Sequence, residues 1–169
     1  MLGTILLIML VLLGFGAVTL TFTNLFSGVT GAINVTSDGS QISVNAASGG
    51  GMMLVVINNK GPGTVRLTKI ILYTVTSGTN VTFTPTSSTQ AAVTGGLGSL
   101  TASIIGGTNV GFISSPSPGY LAIPQGQSAS FRMDVSSGLT ALFPPNQRYI
   151  MLVNHAGGVV KLNIESVSE

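Results

Sequence analysis

The sequence predicts an α+β protein, in which a long N-terminal hydrophobic α-helix is followed by an antiparallel, Ig-like β-sandwich head. Two observations predict this division. No Lys, Arg, Asp or Glu precedes Asp38, and the opening run Met1–Leu20 is apolar on every side. After Asp38, apolar and polar residues alternate with a period of two, which is typical of half-buried strands.

The apolar run has the length of a membrane span, which needs about 20 residues. No basic residue precedes it, unlike a secretory signal. We therefore predict that it belongs to the mature protein and that a leader has already been removed, although a leaderless start at Met1 stays open. The uncharged stretch continues to Ile33. We expect a hydrophobic helix over residues 1–33 and a head domain over residues 34–169.

A helix that is apolar on all sides needs lipid or protein around it. A helix over residues 1–33 would be about 50 Å long, which exceeds a bilayer core of about 30 Å. That length favours packing against other copies of the chain, and a plain membrane anchor is the alternative. The residues expected to carry this packing are Leu2, Ile5, Leu6, Met9, Leu12, Leu13, Phe15, Leu20 and Phe22.

Several strands are predicted in the head. Ser128–Val135 alternates most cleanly, Val159–Glu165 does the same, and the apolar run Met52–Ile57 suits a central strand. The side chains expected to face inward in the first two are Ala129, Phe131, Met133, Val135, Val160, Leu162 and Ile164. Between residues 65 and 72 the apolar positions change parity, which indicates a β-bulge near Lys69.

Turn residues separate these strands. Asn58–Gly63 is expected to join two strands as a hairpin-type loop, and Pro124–Gln127 is expected to precede the strand that starts at Ser128. About seven short strands with frequent turns predict a β-sandwich. Residues 86–117 stay undecided between a decorated loop and strands at Leu100–Ile105 and Val110–Ile113.

Composition and motifs argue against catalysis, metal binding and nucleic-acid binding. Charged residues make up 6% of the 169 residues, and the six Lys and Arg residues are scattered, so we expect no nucleic-acid partner. The chain has no cysteine, one histidine (His155, in a predicted turn) and four carboxylates without a cluster. A nucleophile beside a base, or a set of converging metal ligands, is not visible. We predict no enzyme, no cofactor and no metal.

Two sequons are present, Asn34-Val35-Thr36 and Asn80-Val81-Thr82. Asn-x-Ser/Thr marks candidate N-glycosylation of an exported protein. We predict that Asn34 or Asn80 carries a glycan, which would suit a surface with few charges.

The layout resembles an archaeal type IV pilin, within the type IV pilin-like and archaellin superfamily. The resemblance rests on the opening run Met1–Leu20, on the segment Met53–Val65 and on the block Ile123–Ser128. One departure is Ile5, where bacterial type IV pilins usually have Glu; archaeal members often lack that Glu.

The resemblance implies a major pilin, a structural subunit of an extracellular filament that serves surface adhesion. Its implied partners are copies of itself in a helical homopolymer, the membrane before assembly, a prepilin peptidase, an assembly ATPase and a platform protein. Two alternatives stay open. The chain could be an archaellin, the subunit of a motility filament, or a membrane-anchored surface binding domain.

Overall fold

The structure, a computed structural model, describes residues 33–76 and 78–169. This part of the chain forms twelve strands and one helix of four residues. The elements are β1 (Val35–Thr36), β2 (Gln41–Val44), β3 (Gly51–Asn59), β4 (Val65–Tyr73), β5 (Asn80–Pro85), β6 (Gln90–Gly95), β7 (Leu100–Gly106), β8 (Gly111–Ile113), β9 (Tyr120–Ile123), β10 (Ser128–Val135), α1 (Leu139–Leu142), β11 (Gln147–His155) and β12 (Gly158–Ser168).

Nine of these strands close into a barrel, in the order β11, β12, β2, β3, β10, β7, β6, β5 and β4. The ring closes because β4 pairs with β11, with Leu72 opposite Met151. One pairing is parallel: β12 runs beside β2, with Glu165 opposite Gln41. The remaining strands extend the ring, since β9 pairs with the start of β4, β8 with β9, and β1 with β3. Closure gives every strand of the ring a partner on both sides.

The predicted fold class is wrong. The described chain is one closed sheet rather than an antiparallel sandwich beside a long helix, and its only helix is α1. In a sandwich, some of these strands would be the free edges of two separate sheets. Here the parallel β12–β2 pair and the β4–β11 pair join them into one sheet. Residues 1–32 of the predicted helix lie outside the described residues. So do all of its expected packing residues, Leu2, Ile5, Leu6, Met9, Leu12, Leu13, Phe15, Leu20 and Phe22.

Several local predictions are confirmed. Strand β10 has the predicted bounds, and its four predicted inward residues are buried. The register between β4 and β11 shifts where Lys69 opposes Asn154 and Leu67 opposes His155, which leaves Thr68 as the bulged residue. Residues 86–117 contain both suggested strands, as β7 and β8, together with β6, which was not predicted.

The hairpin predicted at residues 58–63 is wrong. Strand β3 pairs with β1, β2 and β10, whereas β4 pairs with β5, β9 and β11, so the loop crosses between strands that are not neighbours. Its geometry is fixed by Asn59, a buried amide at the end of β3. The Asn59 side chain donates to the carbonyl of Gly63 and accepts from the backbone N–H of Gly61.

The barrel interior is filled with aliphatic and aromatic side chains. Phe83 of β5 and Phe131 of β10 meet edge to face, with ring centroids 6.2 Å apart. A second edge-to-face pair, Phe143 and Tyr149 at 5.0 Å, closes the end near α1. Burying each large apolar side chain stabilises the fold by roughly 1.5–3 kcal/mol. Across residues 33–76 and 78–169, no helix has both the length and the apolar character needed to cross a bilayer.

Candidate binding surface

The outer surface of strands β4, β11 and β12 forms the most distinctive face of the described chain, and we call it the β4–β11–β12 face. Ile71 and Leu152 are opposite each other across β4 and β11, and Leu152 also opposes Lys161 of β12. Ile150 opposes Asn163 in the neighbouring row, and Lys69 opposes Asn154 in the row on the other side. The outward residues of this face are Arg66, Lys69, Ile71, Tyr73, Arg148, Ile150, Leu152, Asn154, Val159, Lys161, Asn163 and Glu165.

The bulge at Thr68 determines which side chains of β4 face outward. Leu67 and Ile70 are both buried although they are three residues apart, which a regular strand does not allow. With the extra residue between them, Lys69 projects outward instead of into the core. The Thr68 hydroxyl donates to the Asn154 carbonyl at 3.1 Å and ties the bulge to β11.

Three of the chain's cations have a carboxylate partner. Lys60 pairs with Asp38 at 2.6 Å, Arg148 with Glu165 at 2.7 Å, and Arg132 lies 3.7 Å from Asp134. The hydrogen bond from Lys60, followed by that from Thr36, lowers the pKa of the Asp38 carboxyl. The fourth carboxylate, on Glu169, accepts a hydrogen bond from the hydroxyl of Ser43.

The other three cations, Arg66, Lys69 and Lys161, make no salt bridge within the described residues. All three belong to the β4–β11–β12 face. Arg66 lies over the ring of Tyr120, with its guanidinium carbon 5.6 Å from the ring centroid. The positive charge that is not neutralised by a neighbouring carboxylate is therefore gathered on one side of the barrel.

Apolar side chains share this face with the cations. Tyr73 is 43% exposed and Ile150 is 40% exposed, while Ile71 and Leu152 beside them are half-buried. The outside of a closed sheet is convex, so this face does not enclose a small molecule. An extended partner that combines negative charge with apolar groups would match it.

A surface pocket of about 220 Å³ lies beside this face, between the start of β11 and the end of β12. It is smaller than typical ligand pockets of roughly 300–1,000 Å³. Its charged residues, Arg148 and Glu165, already pair with each other. In the part of the chain that the structure describes, no group of three His, Cys, Asp or Glu side chains could hold a metal ion.

His155 ends β11 and is half-buried, so it is less exposed than the predicted turn residue. Burial lowers the pKa of its imidazole, and Nδ1 accepts a hydrogen bond from the Gly157 N–H at 2.9 Å. Both features favour the neutral ring. The hairpin that follows is tied to β4 by the Ala156 N–H, which donates to the carbonyl of Arg66.

The two sequon asparagines lie at different places. Asn34 is exposed just before β1, and its carbonyl accepts from the Lys60 N–H. Asn80 is half-buried at the start of β5, opposite Tyr73. Glycosylation of either residue stays a prediction.

No protein-family model matches the sequence, and no curated protein matches it. The pilin identity expected from the resemblance is wrong, because the described chain is nearly all β-strand, closes into a nine-stranded barrel and contains no long helix. The same finding contradicts the expected role as the subunit of a type IV pilus filament.

Proposed function

We propose that this chain is a membrane-anchored surface binding domain. The apolar run Met1–Leu20 holds the chain in a membrane, and the barrel presents the β4–β11–β12 face to a partner outside it. The observation that carries this proposal is that Arg66, Lys69 and Lys161, which make no salt bridge within the described residues, lie on the same face as exposed Tyr73 and Ile150.

The separation of charge supports binding by this face. Unpaired cations on a face repel one another and gain nothing from neighbouring carboxylates, whereas an anionic partner would neutralise them. Exposed tyrosine and isoleucine side chains beside those cations supply apolar contact area. The described residues offer no matching arrangement of nucleophile, base and enclosed pocket for catalysis.

Anchoring is supported by the sequence. Met1–Leu20 contains no charged residue and reaches the length that a bilayer core requires. A charge in the middle of such a span costs roughly 2.5–3.5 kcal/mol of insertion free energy. The double variant Leu6→Asp/Leu12→Lys is therefore expected to release the chain from the membrane.

Membrane fractionation tests the anchoring. The wild-type chain should stay with membranes after alkaline carbonate washing and should sediment with detergent micelles as a monomer. The Leu6→Asp/Leu12→Lys variant should move to the aqueous fraction with an unchanged β-sheet circular dichroism spectrum. Thr101→Asp/Ser103→Lys is the matched control, because it adds the same charges at two exposed positions of β7. Wild-type chain washed free by carbonate would overturn the proposal.

A further inference from the structure

We propose that the partner of the β4–β11–β12 face is the headgroup region of an anionic phospholipid bilayer. This inference rests on the proposed function, since it names the surface that the anchored barrel contacts. The barrel would lie on the membrane with strands β4, β11 and β12 turned towards the lipid.

Charge complementarity is the first argument. Lys69 and Lys161 flank the Ile71–Leu152 pair across three adjacent strands, and no acidic side chain separates them. The carboxylate at one end, on Glu165, is held by Arg148. Asp38 follows Ser37, whose hydroxyl bonds the Asn163 carbonyl, but its carboxylate is held by Lys60. Anionic lipid headgroups attract such unpaired cations.

The distribution of apolar groups is the second argument. Tyr73 and Ile150 project from the same area as the lysines. Aliphatic side chains can enter the boundary between headgroups and acyl chains, tyrosine prefers that level, and lysines reach the phosphates with their long stems.

Size is the third argument. Three strands and about seven residues along each cover roughly 300 Å² at the usual strand spacing and rise. A stable protein–protein interface buries about 800 Å² on each partner, so this face is small for a second protein. A barrel anchored in the same bilayer needs only weak lipid contacts, because the anchor keeps the local lipid concentration high.

The test uses the full-length chain, which has no cysteine of its own. A single Ile150→Cys substitution carries an environment-sensitive nitrobenzoxadiazole label on the face. Ile105→Cys, a position 63% exposed on β7, carries the same label away from it. Both chains are reconstituted into phosphatidylcholine vesicles with and without about 30% phosphatidylglycerol, at about 0.1 M and 0.5 M salt.

We expect the label at residue 150 to brighten and shift to the blue in the anionic vesicles at low salt. High salt should reverse the change, and the label at residue 105 should not respond. Lys69→Gln/Lys161→Gln should lower the ratio of docked to undocked barrels roughly 25-fold, at about fivefold per cation. The control Arg132→Gln removes one paired cation from β10, away from the face, and should retain docking, whereas Lys69→Gln alone should lower it about fivefold.

Three outcomes would overturn the lipid proposal: no response at residue 150, an equal response at residue 105, or an equal loss in the control variant. If polyglutamate alters the signal at residue 150 while anionic lipid does not, the partner is an acidic protein, and the binding function survives. A chain that fails to enter bilayers would refute anchoring instead. In that case the fluorescence of both labels is measured after preformed anionic vesicles are added to the chain. A change at residue 150 alone would support lipid binding by the β4–β11–β12 face, and no change would refute it.

Discussion

The side chain of Asn59 donates a hydrogen bond to the carbonyl of Ile123 at 2.8 Å, across 64 positions in the sequence. It joins the end of β3 to the end of β9 and lies in the core, with almost no exposure. The same amide bonds Gly61 and Gly63 in the loop that leads to β4. One buried amide thus holds together the crossing where the chain leaves one part of the barrel for another.

Asn59→Ala should destabilise the fold by about 3 kcal/mol. The substitution removes the side-chain hydrogen bonds to the carbonyls of Gly63 and Ile123 and from the N–H of Gly61, and each buried group left unsatisfied costs about 1–3 kcal/mol. Urea denaturation followed by circular dichroism measures the change. Asn58→Ala is the matched control, because its half-buried amide makes one hydrogen bond, to the Asp38 carbonyl, and should cost about 1 kcal/mol or less. Equal losses in the two variants would contradict this role.

Phe131→Ala should destabilise the fold by about 3–5 kcal/mol, the usual cost of removing a fully buried phenylalanine. It removes the edge-to-face contact with Phe83 and leaves a cavity inside the barrel. Ser130→Ala, at the neighbouring outward position, should change stability by less than about 0.5 kcal/mol. Thermal or chemical unfolding distinguishes the two, and a loss below about 1 kcal/mol in Phe131→Ala would show that this contact is not part of a tight core.

Gly51→Ala should destabilise the start of β3. Gly51 has a φ of +144°, which L-residues rarely adopt, and an added Cβ would overlap the carbonyl oxygen of Ser43 on β2. We expect a loss of about 2 kcal/mol or more, because backbone strain and steric overlap both contribute. Gly63→Ala is the control, since nothing lies within 4 Å of its added Cβ. Comparable unfolding midpoints for the two variants would refute the prediction.

Stability should fall as the pH drops below about 6.5, through His155. Its pKa is lower in the folded chain than its ordinary value of 6.5, so the unfolded chain binds more protons in this range. The stabilisation is fully present above pH 6.5 and is lost as the pH falls through the folded pKa. Protonation also removes the acceptor of the Gly157 N–H.

Unfolding midpoints measured between pH 7.5 and pH 5, on either side of the ordinary histidine pKa of about 6.5, test this. His155→Asn keeps a side-chain acceptor for the residue 157 N–H but does not titrate, so its midpoint should vary less over the same range. The lowered pKa of Asp38 acts near and below pH 3.8 and is separated from this window. A variant that follows the wild-type pH profile would exclude His155 as the cause.

Local structure could be predicted from the sequence where the apolar–polar pattern within a single strand determines it. The alternation from Ser128 to Val135 gave the bounds and the buried face of β10, because one side of that strand meets the core along its whole length. The change of parity near Lys69 indicated the bulge for the same reason. Strand β6 was missed because Gln90–Gly95 is short and has only two fully buried side chains, Ala91 and Val93.

Which strands pair with each other could not be predicted from the sequence. The loop Asn58–Gly63 has the composition of a hairpin turn, yet β3 and β4 do not pair, because the choice of neighbours depends on the whole closed ring. The predicted sandwich and the pilin resemblance were wrong for the same reason. Short alternating strands with turns between them suit either two sheets or one closed sheet, and a layout alone does not distinguish the two.

The order and composition of the residues are enough to predict one uncharged apolar segment and a head rich in short strands, and to count four carboxylates for six cations. The positions of those charges on the surface depend on how the strands pair. Arg66, Lys69 and Lys161 are scattered over almost a hundred positions of sequence, but the bulge at Thr68 and the antiparallel registers of β4, β11 and β12 bring them to one face. A surface of this kind is made by strand pairing, and pairing depends on long-range contacts that local periodicity does not contain.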